Sequence, residues 1–444
     1  MIHIDVLMMK GCVVIPSIGE KIKLLRKAKA MTQAELAEII LSNSAKVSRV
    51  ENGDEEYSQE ELEAIREHFK MAEMPLTEFE RAAFKEGLYF WRELIIDRKI
   101  DEAKDFRDKK SFAVELELFD PDLSFLYRLF DIMLLLNDRD IVAAEEKMSY
   151  LRGVINDMNA EHLYFYYSNH GLLSVTRDFD YKAALEFYEK ARELKKSHNN
   201  ILQGSDEKLY FDMATCHTQL EFPFCAIMLL DKIPEIYVER RTERFKSSLG
   251  ARYAVNYIKI GKLKEAEEIL SKCLVKAKGI DDKLFTGAAL HNLGLLYKQS
   301  KEWGKAIEHL DQALSIFEIG ADYHLWTLYH KIHCLIGAKD FLEAEKMIKQ
   351  ARAAYGTNNA NLIPFESINH YLIICKRMTL YNEKSVEYIE NVTIPYLIKQ
   401  HDNFLAIGYY ALLEQHYKKT RKNVKSLLMS KAIRDIYEKV FIQP

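Results

Sequence analysis

Two groups of side chains in this chain of 444 residues have the types and spacing for recognition chemistry. The first is compact: Ser44, Ala45, Lys46, Ser48 and Arg49 fall together in "SAKVSRV", with Lys27 and Gln33 shortly before them. Lys46 and Arg49 can donate to guanine O6 and N7, and the hydroxyls suit either bases or phosphates. Gln33 and Lys27 suit phosphate oxygens, which position a protein without reading sequence. The second group is dispersed: Asn169, Arg252, Asn256, His291, Asn292, Tyr329, His333 and His370. It is rich in amides, imidazoles and rings. An Asn side chain can pair with both the N–H and the C=O of an extended peptide, as an added strand would. A third cluster, His330, His333 and Cys334 in "HKIHC", has spacing for two metal ligands, but no acidic or imidazole partner follows it. Groove or core histidines are expected there, with no metal.

The elements that must position the first group are short helices. Ile18, Ile22 and Leu25 fall at i, i+4 and i+7 and mark one apolar stripe. Thr32 and Glu35 form a T-x-x-E capping box, so a second helix starts at Gln33 and buries Leu36, Ala37 and Ile40. Ser42 or Asn43 can cap a third helix that carries Val47 and Val50 inward, and Gly53 stops it. A fourth begins near Ser58 and buries Leu62, Ile65 and Phe69. Lys21, Lys23, Arg26, Lys27 and Lys29 add a basic run without an acid, whereas "ENGDEEYSQEELEAIRE" is acidic. DNA affinity from this domain alone is therefore expected to be modest.

The second group lies on a repeated pattern of helix, short corner and second helix. Aligning the small residue of each second helix gives Ala103, Ala144, Ala184, Ala226, Ala266, Ala306, Ala344 and Ser385, at spacings of 38 to 42 residues. A last pair follows near "YYALLEQHYKKTRKNVKSLLMSKAI". A fixed period of this size signals stacked helical hairpins, each burying its apolar face only against its neighbours. The first helix of every pair is expected to line the concave face, and the second group of side chains lies on those first helices.

Composition excludes other classes. Eight Pro and 17 Gly leave few turns to those residues and favour long helices. A net charge of −4 gives no global basic excess, so any nucleic-acid surface must be local. The six Cys, with no C-x-x-C pair, are expected as reduced core fillers of a cytoplasmic chain. The N-terminal "MIHIDVLMMKGCVVIP" lacks a basic n-region and a long apolar stretch, and no run is long enough for a membrane span. No G-x-x-x-x-G-K-[ST], G-x-G-x-x-G, G-x-S-x-G or H-E-x-x-H occurs, so neither an enzyme nor a cofactor is expected.

"TQAELA" followed at the right separation by "KVSRVENG" resembles the helix-turn-helix domains of phage repressors. Leu41 stands where that family usually has a turn Gly; a left-handed Leu there would cost roughly 1–2 kcal/mol. The unit with Leu293, Gly294, Tyr297, Ala306 and Ala313 resembles the tetratricopeptide repeat. The two together resemble the Rap/NprR/PlcR/PrgX peptide-pheromone receptors of Gram-positive bacteria, the NprR type above all. That resemblance implies an all-α fold: a repressor-like helix-turn-helix domain, then a right-handed superhelical tetratricopeptide-like array. The expected divisions are a tail over 1–16, the DNA-binding domain over 17–72, a connector over 73–88 and the array over 89–444. The resemblance further implies a quorum-sensing transcriptional regulator that binds double-stranded DNA, forms a homodimer and takes a short signalling peptide in its groove. Arg252 and Asn256 in "LGARYAVNYIKIG" inherit peptide contacts, and Asn292 less securely. The alternative is a docking scaffold, or a Rap-type protein that binds a sporulation response regulator. No Gln lies between Gln59 and Gln203, which removes the expected source of a phosphatase glutamine.

Overall fold

The computed structural model describes residues 18–69, 78–109, 120–198, 201–202, 205–319, 321–355, 359–376, 383–399 and 402–441. The expected tail, the first part of the expected connector, Cys12, and the side chains of Lys21 and Leu25 lie outside the described residues. Among those described, regular structure is helical throughout. The chain divides into two compact units, Met1–Asn169 and His170–Pro444.

The first unit opens with α1 (Ile18–Ala28), α2 (Gln33–Ile39), α3 (Ser44–Glu51) and α4 (Gln59–Phe69). The capping box forms: Glu35 N–H donates to Thr32 Oγ1 at 3.2 Å, and Thr32 N–H donates to Glu35 Oε2 at 2.6 Å. Asn43 is the cap of α3, its Oδ1 accepting from Lys46 N–H at 2.9 Å. Ile22, Leu36, Val47 and Ile65 are fully buried together with Leu62 and Phe69, a helix-turn-helix core. The corner between α2 and α3 takes the left-handed form at Leu41, with φ 51°, and its side chain is 95% exposed. The unit continues with α5 (Glu78–Ile96), α6 (Ile100–Lys109), α7 (Pro121–Asp138) and α8 (Ile141–Gly153).

After α9 (Ala160–Asp178) and α10 (Tyr181–Ser197), the second unit continues with α11 (Ser205–Gln219), α12 (Pro223–Leu230) and the short α13 (Glu235–Glu239). Then come α14 (Glu243–Lys259), α15 (Leu263–Gly279), α16 (Lys283–Gln299), α17 (Trp303–Leu314), α18 (Asp322–Gly337), α19 (Phe341–Tyr355) and α20 (Asn359–Lys376). α21 (Glu383–Tyr388) passes through a π turn at Ile389–Thr393 into α22 (Ile394–Lys399), followed by α23 (Asn403–Lys419) and α24 (Asn423–Phe441). The first helices α11, α14, α16, α18, α20 and α23 touch one another in sequence, forming one layer. Each of α12, α15, α17, α19 and α22 packs on the first helix of the pair after it. Stacked hairpins bury apolar faces in this way because none can do so alone.

Every aligned small residue from Ala103 to Ala344 is 0% exposed, and Ser385 is 1% exposed. Ser426, at 4%, holds the same place in the last pair. Close approach is the reason. A Cβ on Gly294 would meet Leu310 Cγ at 2.5 Å, so α16 lies directly on α17. Tyr297 fills the gap between pairs and donates from its hydroxyl to Glu267 Oε1 at 2.6 Å.

A second periodic feature accompanies the first. Five residues before each small one whose preceding corner is described, the backbone turns left-handed: Arg98, Arg139, Phe179, Glu221, Gly261, Lys301, Lys339 and Arg421 have φ between 53° and 81°. At most of these corners the next N–H bonds back across five residues, as Glu302 N–H does to Tyr297 O at 2.8 Å, the Schellman pattern. Only Gly261 is a glycine, so the other corners each carry the Cβ penalty of that conformation. Lys301→Gly and Lys339→Gly, at exposed corners, are each expected to raise stability by roughly 0.5–1 kcal/mol. Urea unfolding of the full chain checks this; unchanged or lowered midpoints would mean the corners carry no such strain.

Candidate functional site

On the first unit, Ser44, Ala45 and Arg49 are exposed on α3, while Lys46 and Ser48 are half-buried. Two of the expected DNA donors are engaged by acids of the same chain. Lys46 Nζ lies 2.8 and 2.7 Å from the two Glu61 carboxylate oxygens, and Arg49 Nε lies 2.6 Å from Glu55 Oε2. Gln33 is half-buried. Its amide donates to Glu51 Oε2, an interior carboxylate, at 2.8 Å. Glu51 also takes a bidentate pair from Arg26, Nε to Oε1 at 2.6 Å and Nη2 to Oε2 at 2.8 Å. Arg26 thereby leaves the basic run; Lys27 and Lys29 remain exposed. Burial pushes the Glu51 carboxyl upward, but the hydrogen bonds from Arg26 and Gln33 outweigh it and hold the carboxyl below the usual range.

The second unit gathers a larger constellation on its first helices. On α14, Arg252, Asn256 and Lys259 fall at i, i+4 and i+7, on one face. Asn256 is fully buried; its Nδ2 donates to Thr218 Oγ1 at 2.9 Å and to Arg252 O at 2.8 Å, while its Oδ1 has no partner. Lys259 Nζ donates to Thr218 O at 2.7 Å. On α16, His291 Nδ1 lies 2.8 Å from Thr327 Oγ1. Thr327 spends its own proton on Tyr323 O at 2.5 Å, so the His291 proton sits on Nδ1. Lys298, one face-repeat beyond His291, places Nζ 3.1 Å from His330 Nδ1. His333 Nε2 meets the Tyr329 hydroxyl at 3.1 Å, and that hydroxyl meets Tyr409 OH at 3.0 Å. The rings of His333, Tyr371 and Tyr409 lie edge to face.

This wall is electrostatically uncomfortable for charge. Burial lowers the Lys298 and Lys259 ammonium groups and raises Asp402. Burial, reinforced by Lys298, pushes His291 down to about 4 and places His330 and His333 well below the ordinary imidazole range. These imidazoles are neutral at pH 7, able both to donate and to accept.

Of the eight residues expected in the groove, the structure hydrogen-bonds His333 to Tyr329, brings His291 to Tyr329 through ring contacts with His330, and places Arg252 and Asn256 on the neighbouring first helix. Tyr329 is 1% exposed, so it supports the wall from behind. His370 turns elsewhere, its Nδ1 lying 2.9 Å from Ser385 Oγ and its ring stacking on Tyr388. Asn169 belongs to the first unit, 4% exposed, and donates from Nδ2 to Leu129 O at 2.7 Å. It holds adjacent helices together. Asn292 is half-buried. Lys259, Lys298 and Tyr409 were not expected, and His330 was expected as a groove or core histidine; continuing the helical face seven residues past Arg252 and His291 would have reached both lysines.

The fold defines a class, a helix-turn-helix protein with tetratricopeptide-like hairpins, and residues 247–319 match the tetratricopeptide repeat family. The fold is shared with the Rap and NprR proteins, as the sequence resemblance implied. The apo form of the quorum sensor NprR from B. thuringiensis is 19% identical, covers 79% of this chain and 98% of its own, and superposes with a TM-score of 0.62. A Rap protein complexed with Competence and Sporulation Factor is 14% identical, with a TM-score of 0.66 over 82% of this chain and 99% of its own. The regulatory protein RapD of Bacillus subtilis (strain 168) is 22% identical over 207 residues, 46% of this chain. The chain spans 57% of the length of RapD in that match. No helix among the described residues is long and apolar enough to cross a membrane.

Proposed function

We propose that this chain is a cytoplasmic regulator that binds operator DNA through residues 17–72 and is controlled by a short peptide held by the repeat hairpins of residues 89–444, joined by a connector over 73–88. The observation that carries it is a row of polar side chains on successive first helices of the second unit, Arg252 and Asn256 on α14, His291 on α16 and His333 on α18, with Asn256 Oδ1 and Arg252 Nε lacking partners. Complexes of NprR with its cognate peptide NprX and of a Rap protein with Competence and Sporulation Factor support that use of the fold. For DNA, the support is local: exposed Ser44, Ala45 and Arg49 lead α3, the helix that enters the major groove in helix-turn-helix proteins. A homodimer would present two such helices to half-sites about one helical turn apart or a multiple of it.

Glu55 and Glu61 must release Arg49 and Lys46 before those side chains can reach bases. Arg49→Ala is therefore expected to weaken operator binding by roughly 1–3 kcal/mol and random DNA much less. Glu55→Gln, which frees Arg49, should tighten binding by roughly 0.5–1 kcal/mol. The test selects genomic fragments on the full chain with and without the small-peptide fraction of spent medium, then measures these variants on the enriched sequence. Enrichment of nothing beyond what Arg49→Ala retains would sink the DNA reading. A second reading, a docking scaffold for a protein such as a response regulator, is favoured by the same two ion pairs, which in a scaffold would simply stay closed.

A further inference from the structure

Among the left-handed corners that precede the second helices, one is buried. Arg98, Arg139, Phe179, Gly261, Lys301, Lys339 and Arg421 are exposed, whereas Glu221, with φ 62°, is 3% exposed. An acid is ill suited to that place, because the conformation favours Gly and burial disfavours the charge. The start of α23 is what meets it. Glu221 Oε2 accepts from Asn403 N–H at 2.7 Å, and Asn403 is itself 8% exposed. That N–H belongs to the first residue of α23, one of the amides a helix leaves unpaired, and the helix dipole favours a carboxylate there. Lys259, whose Nζ donates to Thr218 O, acts electrostatically on both Glu221 and Asp402 and so offsets the repulsion between the two acids. The first helices α11, α14, α16, α18, α20 and α23 touch one another in sequence, so this bond joins the two ends of their row. Tyr409 of α23 adds a bond to Tyr329 of α18. Between the ends stand the side chains proposed for the peptide, and Arg252 Nε and Asn256 Oδ1 are closed to solvent. A peptide reaches those atoms only if neighbouring helices part.

We infer that the Glu221–Asn403 joint is a gate on the peptide groove: closed, it ties the two ends of the row together, and the peptide enters when it opens. This rests on the peptide-receptor reading and adds how access to that site is controlled. A single charge-assisted hydrogen bond suits the task, being strong enough to set a population and weak enough to part. A peptide that binds with the joint open also draws the population toward the open arrangement, which couples the groove to the ends of the row.

Two substitutions cut the joint from opposite sides, each chosen to keep its own element folded. Glu221→Gly removes the carboxylate and suits the left-handed corner, as Gly261 does one pair later. Asn403→Pro removes the N–H at a first helical position, where Pro121 and Pro223 already stand in α7 and α12. Without ligand, each is expected to speed amide exchange over the first turn of α23 about tenfold. For binding, random heptapeptides are captured on the full chain, and one binder is labelled and mixed with each variant by stopped flow. At a fixed peptide concentration the association rate should rise about tenfold in both, because the open fraction rises. Lost packing alone would slow association or leave it unchanged. If one variant does not fold, the other decides. Unchanged exchange or unchanged association rates would overturn the gate while leaving peptide binding intact. No binder from the pool would overturn both.

Discussion

Acidification from pH 7 to pH 5 is expected to destabilise the second unit by about 2 kcal/mol through His291 alone, given a shift from an ordinary 6.5 to about 4. The sign follows from proton uptake. The unfolded chain protonates this imidazole near pH 6.5, whereas the folded one refuses the proton until about pH 4, because burial and the neighbouring Lys298 disfavour the cation. Stability from this group is complete above pH 6.5, falls as pH drops through the window, and is fully lost below about 4. His330 and His333 are depressed in the same direction for the same reasons, so their losses add. The measurement is amide exchange of α16 and α18 at pH 7 and pH 5, corrected for intrinsic rates. His291→Gln should flatten the difference by the share of that one residue. A profile no steeper than that of α1 to α4, or one that His291→Gln leaves unchanged, would refute the account.

Glu51→Ala is expected to cost the helix-turn-helix about 3–5 kcal/mol, because it strands Arg26 as an unpaired buried cation. The Arg26 side chain is 8% exposed and that of Glu51 0%. The pair ties the last residue of α3 to α1, Arg26 Nη1 reaches Met31 O at 2.7 Å, and Gln33 closes the group from α2. A loss of that size rivals the whole stability of so small a cluster of helices. The DNA binding proposed for this domain would be lost with its fold. Replacing both partners, Arg26→Met with Glu51→Met, should recover most of the stability, since it removes the stranded charge along with the bond. Thermal unfolding of the full chain, with exchange of α1 to α4 to locate the effect, decides it. A drop under about 1 kcal/mol would place the pair at the surface in energetic terms.

The sequence was legible where the physics is local. Thr32 with Glu35 marks a helix start wherever it occurs, and Ala266, Ala306 and Ala344 recur because two helices cannot cross closely over a larger side chain. The corners were less legible for a chemical reason: Lys301, Arg139 and Glu221 do not look like left-handed residues, and only Gly261 does. Their place is fixed by the five-residue offset from the next small residue, which appears only once the backbone is known. Gln33 illustrates a different limit. Its position at the head of α2 was readable, but the competing carboxylate of Glu51 comes from another helix, and nothing in either segment announces the pair. The wall of the second unit was legible in part. His291, Tyr329 and His333 announced themselves by type, whereas Tyr409 joins them from 80 residues beyond Tyr329.

The bond from Asn403 N–H to Glu221 Oε2 spans 182 residues of chain. A stack of hairpins that touch only neighbours can gain or lose units from either end, and its folding is a local, rapid zipping. This contact, with the shorter-range Tyr329–Tyr409 bond, works against that independence. The corner before α12 and the first turn of α23 must find each other across the intervening hairpins, so the last steps of assembly carry a loop-closure entropy that no single hairpin pays. Refolding of the second unit should accordingly show a slow, cooperative closing phase, and a truncation after α20 should speed folding even as it weakens what is folded.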